Sequence, residues 1–299
     1  LGSGRFLFLV VCIEIHSELD FTRRIRNRYH FMNDNEKIKA QFEYENACRK
    51  RILDSAPGAE RSAAFSAAYN GLVAGITNGQ FDESDADDVT KASQKFSLVH
   101  RFLNSESRVA EFGPGDGDLA VLVAERVASV VLIDVLESWP HELPKRCRYF
   151  PGDGVHLPDG VGPLDLVIGS HMLEHLHPET VPDHLLSVRN ALSPRGCYVI
   201  FTPNRFAGPH DVSAGFSDEA SGLHLKEYEA REMRKLLFTA GFRRSAWYAG
   251  GRGVYLRVPF CLIACAESLL SVLPRNVSRR LANFFPIRAL LGIIVVGEV

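Results

Sequence analysis

Three kinds of residue in this chain have types and spacings suited to chemistry. The first is a glycine run, Glu111-Phe112-Gly113-Pro114-Gly115-Asp116-Gly117, set between an apolar stretch and a helical pattern. Glycines carry no Cβ, so the backbone N–H groups of such a turn can approach a polar or charged ligand closely. The second kind is an aspartate after a short apolar run: Asp134 after Val130-Val131-Leu132-Ile133, and Asp153 between Gly152 and Gly154. A carboxylate at such a place accepts from two neighbouring donors, for instance a pair of hydroxyls. The third kind is histidine: His171 and His175 on either side of Glu174, then His210 and His224. A neutral imidazole near pH 7 can accept a proton from a reacting group.

Spacing narrows the options. A dinucleotide loop, G-x-G-x-x-G, would need glycine where Asp118 stands, and the G-K-[ST] of a P-loop is absent. His171-Met172-Leu173-Glu174-His175 matches H-x-x-E-H, in which two histidines on one helix face hold zinc beside a glutamate base. No third ligand is identifiable in the sequence, and no metal is expected.

These residues need elements to hold them. Arg108–Phe112, Val130–Asp134, Tyr149-Phe150, Leu164–Gly169 and Cys197–Thr202 read as short strands, with helical patterns at Leu119–Ala128 and His184–Leu192. Strand alternating with helix predicts an α/β fold: a Rossmann-like, mostly parallel sheet with helices on both faces. Ligands of such sheets sit at the carboxyl ends of the strands, where the glycine run, both aspartates and Ser170-His171 fall. Helical patterns at Glu36–Leu53 and Ser62–Val73 predict an N-terminal helical cap, and the acidic stretch from Asp82 to Asp88 reads as a solvated helix start. The expected layout is a non-native or disordered leader over 1–31 with the native start at Met32, a cap over 32–95, a core over 96–250 and a C-terminal helical appendage over 251–299.

The balance of 34 basic and 36 acidic side chains gives a net charge of -2, so no nucleic-acid partner is expected from bulk charge. Six scattered cysteines without a C-x-x-C pair suit a reducing, cytoplasmic setting.

The run E-x-G-x-G-x-G resembles the first motif of class I S-adenosylmethionine-dependent methyltransferases, and the resemblance continues in register over about residues 100–245. It implies that Glu111, Gly113, Gly115 and Gly117 wrap the methionine part of S-adenosylmethionine. It implies that Asp134, with Val135 beside it, holds the ribose hydroxyls, that Asp153 and Gly154 meet the adenine, and that Ser170 lies against the cofactor. Ser170-His171-Met172-Leu173-Glu174-His175-Leu176 is similar to the segment after strand four in the ubiquinone/menaquinone-biosynthesis-like branch, methyltransferase type 11. Some quinone O-methyltransferases of that branch hold a divalent metal with acids here; His171 replaces one such acid. The implied activity is methyl transfer to a small-molecule or lipid- or glycan-like acceptor. His171, His210 and His175, in that order, are the candidate proton acceptors, with His224 last. The alternatives are a catalytically silent cofactor-binding scaffold subunit and an H-x-x-E-H zinc hydrolase.

The tail from Arg252 carries six arginines against two glutamates, among the apolar runs Val258–Leu273 and Ala289–Val296. Neither run reaches the ~20 residues of a membrane span. An arginine-flanked apolar segment suits a lid, a homodimer face or peripheral contact with a membrane through 254–296.

Overall fold

The computed structural model describes residues 34–81, 88–139 and 142–299. The expected leader, Met32 and most of the acidic stretch from Asp82 lie outside them. The elements run α1 (Asp34–Asp54), α2 (Ala59–Thr77), α3 (Asp88–Val99), β1 (Arg108–Phe112), α4 (Asp118–Ala124), β2 (Ser129–Asp134), β3 (Cys147–Pro151) and β4 (Leu164–Ser170). They continue with α5 (Val181–Ala191), β5 (Leu192–Thr202), α6 (Ala230–Thr239), β6 (Arg244–Gly251), β7 (Val254–Val258), α7 (Phe260–Ser271), α8 (Arg275–Ala282), α9 (Ile287–Leu291) and β8 (Ile293–Glu298).

The eight strands form one sheet in the order β3-β2-β1-β4-β5-β8-β6-β7. The first five are parallel, and β8, β6 and β7 add on antiparallel. This is the expected α/β Rossmann-like sheet. Its central strands are mostly apolar on both faces, as burial between two helical layers requires. The period-2 alternation is visible residue by residue: Val109, Leu132, Leu166, Ile168, Val199 and Phe201 face the core shared with α4. Ala110, Phe112, Ile133, Val167, Tyr198 and Ile200 face the opposite core, which α5 and α6 complete with Leu185, Val188, Met233 and Leu237.

Register puts the carboxyl ends of the parallel strands along one edge. Phe112 pairs with Ile133 and Gly169, Asp134 with Pro151, and Ser170 with Phe201. The helical cap closes over this edge. Cys48 and Ile52 of α1 and Phe65 and Ala68 of α2 pack with Leu223 and Leu225 from the long loop after β5. The Ser66 hydroxyl donates to the carbonyl of Val135 at 3.0 Å, and Arg49 donates to that of His224 at 2.6 Å.

The C-terminal run departs from the expected helical appendage. Ile293-Ile294-Val295-Val296 is the heart of β8, threaded between β5 and β6. Four consecutive β-branched residues pack well on a pleated surface and poorly in a helix. Among the described residues no helix is long and apolar enough to cross a membrane.

Candidate active site

The glycine loop follows directly from β1. Gly113, Gly115 and Gly117 have φ values of 59°, 57° and 82°, in the left-handed region that costs any residue with a Cβ. The Gly113 amide donates to Ile133 at 2.9 Å and that of Gly117 to Pro114 at 3.0 Å, which ties the loop to β2 and tightens the turn into α4. A Cβ on Gly115 would meet nothing within 4 Å, whereas one on Gly117 would lie 2.6 Å from the Trp139 ring. A cleft opens here, lined by Lys91, Lys95, Glu111, the loop and Ser170.

Two shielded polar atoms flank the loop without a hydrogen bond, one on Glu111 and one on Ser170. Glu111 sits mid-strand on the α4 side of the sheet, 2% exposed, and burial pushes its carboxyl up to about 8 against the pull of Lys95. Its Oε2 accepts no hydrogen bond, and neither does the shielded Ser170 Oγ at the end of β4. Orphaned buried polar atoms of this kind are costly unless a ligand satisfies them. A cation beside Glu111 and a polar group beside Ser170 are what the amino-acid part of S-adenosylmethionine carries.

Asp134 stands at the end of β2, its Oδ1 accepting from the Leu136 amide at 3.2 Å. Burial raises its pKa, against the Leu136 and Val135 amides. Asp153 and Gly154 fall on the neighbouring turn after β3. The Asp153 carboxylate is already engaged there: Oδ1 accepts from the Val155 and His156 amides, both at 2.8 Å, and Oδ2 lies 2.7 Å from His156 Nδ1. Burial opposes its charge, but these bonds win and hold its pKa below the ordinary value. A ligand reaching this carboxylate would share it with the turn's own donors.

The histidines gather on the other side of Ser170. His171 has φ 55°, a left-handed backbone uncommon for a non-glycine residue, and its amide donates to Phe201 at 2.8 Å. The ring is half exposed, with Nδ1 3.2 Å from Glu174 Oε1. Glu174 is fully buried, and its Oε2 accepts from the Thr202 hydroxyl at 2.8 Å. Burial disfavours its charge, yet the His171 bond and the imidazoles of His171, His175 and His224 hold its pKa at about 2.

His175 lies one residue further along, with Nδ1 3.1 Å from the Leu223 carbonyl. Burial, and then His224, pushes its pKa down to about 4, so it is neutral at pH 7. The His224 ring meets it edge-on at 4.7 Å, and the Tyr69 ring at 5.9 Å. Glu227 anchors the remaining pair: its Oε1 is 3.0 Å from His224 Nδ1, and its Oε2 3.2 Å from His210 Nδ1. Burial resists this charge too, but the His210 and His224 bonds keep Glu227 at about 2.

The fold therefore brings His171, His175 and His224 around Glu174, and sets His210 beyond Glu227. The H-x-x-E-H segment is a turn and not a helix, so its two histidines do not share a helix face, as the zinc hydrolase reading requires. One potential ligand atom each of Glu174, His175 and His224 does lie within 4.8 Å of the others, a grouping that leaves His171 out. Tyr69 and Glu227 had no local signal: Tyr69 comes from a cap helix about a hundred residues earlier in the chain, and its shielded hydroxyl has no hydrogen-bond partner.

No curated protein matches the chain. The fold is similar to that of a candidate methyltransferase crystallised with the Haloferax volcanii Trm112 methyltransferase activator, at 14% identity and a TM-score of 0.51, covering 79% of this chain and 96% of that one. It is also similar to Haemonchus contortus phosphoethanolamine N-methyltransferase 1 in complex with phosphoethanolamine and S-adenosylhomocysteine, at 14% identity and a TM-score of 0.50. That match covers 81% of this chain and 50% of the Haemonchus protein. At such identities the likeness is one of fold. The family described as "Methyltransferase domain" matches residues 74–244, more than half of the chain. The chain belongs to that family, as a class I methyltransferase with S-adenosylmethionine as its cofactor.

Proposed function

We propose that the protein methylates an oxygen or nitrogen nucleophile of a small-molecule or lipid- or glycan-like acceptor, with His171 receiving the acceptor's proton. The observation that carries this reading is the His171–Glu174 pair at the end of β4, one residue past Ser170. S-adenosylmethionine, when bound, supplies a methyl group activated by a sulfonium. Glu111, the glycine loop, Asp134 and Ser170 are the residues that would hold it.

The protein's own part is alignment, desolvation and proton transfer. A Glu174 carboxylate facing Nδ1 selects the tautomer with the proton on Nδ1 and leaves Nε2 of His171 as the proton acceptor. His175, held neutral and strongly acid-shifted, serves better as a wall of the acceptor pocket than as its base. Tyr69 offers the pocket an unused hydroxyl, and the cap helices shield it from water. The segment from Ser170 to His175 supports placement in the ubiquinone/menaquinone-like branch. The free thiols of Cys48, Cys147, Cys197, Cys261 and Cys265 suit a reducing, cytoplasmic setting.

Calorimetric titration with S-adenosylhomocysteine tests the cofactor half. Asp134→Ala is expected to weaken binding by ~1.4 kcal/mol or more, tenfold in affinity. His171→Ala is expected to leave that affinity intact while lowering turnover by ~10²–10⁴ on an acceptor found by screening. Absence of binding to well-folded wild-type protein would refute the reading.

A further inference from the structure

The helices α7, α8 and α9 have two unlike sides. Inward, Leu270, Ala282 and Leu291 pack on Phe206 and Ala207, in the loop that carries His210. Polar bonds reinforce the grip. The buried Glu267 accepts from the Asn204 side chain and the Ala230 amide, both at 2.7 Å. Arg275 donates to the carbonyls of Arg205 and Gly208, and Asn283 to that of Ala207.

Outward, the same segment is apolar. Leu262 and Leu269 on α7 and Val272 just past its end are exposed, and with exposed Cys265 they follow the spacing of one helical stripe. Val277 and Leu281 repeat the pattern on α8, and Phe284 and Phe285 follow at 65% and 75% exposure. Seven large apolar side chains on one short segment exceed the scattered single exposures of an ordinary surface. The charge beside them has one sign. Arg280 and Arg288 are exposed and Arg279 half so, while Glu267, the segment's one acid, is turned inward. Arg231, Arg234 and Lys235 of α6 line the adjoining groove with Phe260, Cys261 and Cys265.

We propose that this face docks on an anionic membrane surface, with Phe284 and Phe285 entering the boundary between headgroups and acyl chains and the arginines meeting lipid phosphates. Apolar side chains rimmed by cations are what such a surface binds. A second copy fits less well: a twofold contact would set the arginine rims against each other with no acid on the face to pair them. A lid fits less well too, since the apolar side faces away from the loop the segment grips. Docking would seat the acceptor pocket beside the bilayer. The corollary, an amphiphilic acceptor taken from the membrane, rests on the methyl-transfer reading.

The test is co-sedimentation of the full chain with vesicles of pure phosphatidylcholine and of equal parts phosphatidylcholine and phosphatidylglycerol. Wild type is expected to pellet with the anionic vesicles, less as salt rises, and to stay in solution with the neutral ones. The double variant Phe284→Ser/Phe285→Ser is expected to lower partitioning by about tenfold or more, and Arg279→Ala/Arg280→Ala by a similar factor. All four side chains lie at least partly in solvent, and unchanged S-adenosylhomocysteine binding will show that each variant is folded. Wild type that ignores anionic vesicles, or a phenylalanine variant that binds like wild type, overturns the proposal. So does self-association of wild type that the phenylalanine variant abolishes, which would assign the face to a second copy. Retained S-adenosylhomocysteine binding without vesicle binding sinks the docking alone; the reverse sinks the methyl-transfer reading alone.

Discussion

Gly115 and Gly117 provide a matched pair of perturbations two residues apart, and alanine at each should separate folding from binding. Both have a left-handed φ, so each alanine costs ~1–2 kcal/mol in backbone strain. A stiffer unfolded chain offsets ~0.4–1 kcal/mol of that. At Gly115 nothing further is added, because the new Cβ meets no atom within 4 Å. Net destabilisation should be about 1 kcal/mol, a Tm decrease of roughly 2–4 °C. At Gly117 the Cβ lies 2.6 Å from the Trp139 ring, and displacing the indole adds ~1–3 kcal/mol. The expected Tm decrease is then roughly two- to fourfold larger. Gly115 lines the cleft, so its methyl group takes space kept open for ligand, and S-adenosylhomocysteine affinity should drop by about tenfold, ~1.4 kcal/mol. The assays are thermal unfolding and calorimetric titration on the same preparations. Equal destabilisation by the two alanines would refute the packing argument. Unchanged affinity in Gly115→Ala would refute the assignment of the loop.

Burial raises Glu111 from the ordinary carboxylate range to about 8, so the folded state retains a proton that the unfolded state releases. Stability should therefore fall as pH rises from about 4.5 to 8, by up to ~1.4 kcal/mol per unit, and Glu111→Gln should flatten that slope in denaturant titrations. A ligand ammonium would favour the ionised form, so S-adenosylhomocysteine binding at pH 7 should release a proton, seen as a dependence of calorimetric heat on buffer ionisation enthalpy. Glu174→Gln exchanges one acceptor oxygen for a donor between His171 and Thr202, so turnover should fall by ~10² or more with cofactor affinity unchanged; equal turnover would remove Glu174 from the proton path. Glu267→Ala orphans the Asn204 amide and the Ala230 N–H, each worth ~1–3 kcal/mol when buried, and chemical denaturation should show a loss of about 2–6 kcal/mol.

Some of the site was legible because its causes are local. Glycines at three alternate positions can be read from the chain, since the demand for positive φ acts on each residue by itself. Short apolar runs ending in Asp134 and Ser170 announce strands whose carboxyl ends carry the chemistry. The H-x-x-E-H match misleads for a related reason. Its spacing means two ligands on one face only in a helix, and His171 at φ 55° turns the segment away from helix. Ile293–Val296 misleads in the other direction. A short apolar run suits a buried helix or strand equally well, and its partners β5 and β6 lie far off in sequence.

The sequence alone determined the class of fold, the glycine loop and the aspartate that closes β2, because backbone conformation and side-chain periodicity are settled within a few residues. Only the tertiary structure decided which histidines meet. His224 reaches His175 because the loop after β5 folds back under α1 and α2, held by Arg49, Leu223 and Leu225. It also decided that Glu111 Oε2 accepts no hydrogen bond and that, among the described residues, the outer side of α7 and α8 is left uncovered. Burial and the lack of a partner are properties of everything packed around a residue, and no stretch of chain carries them by itself.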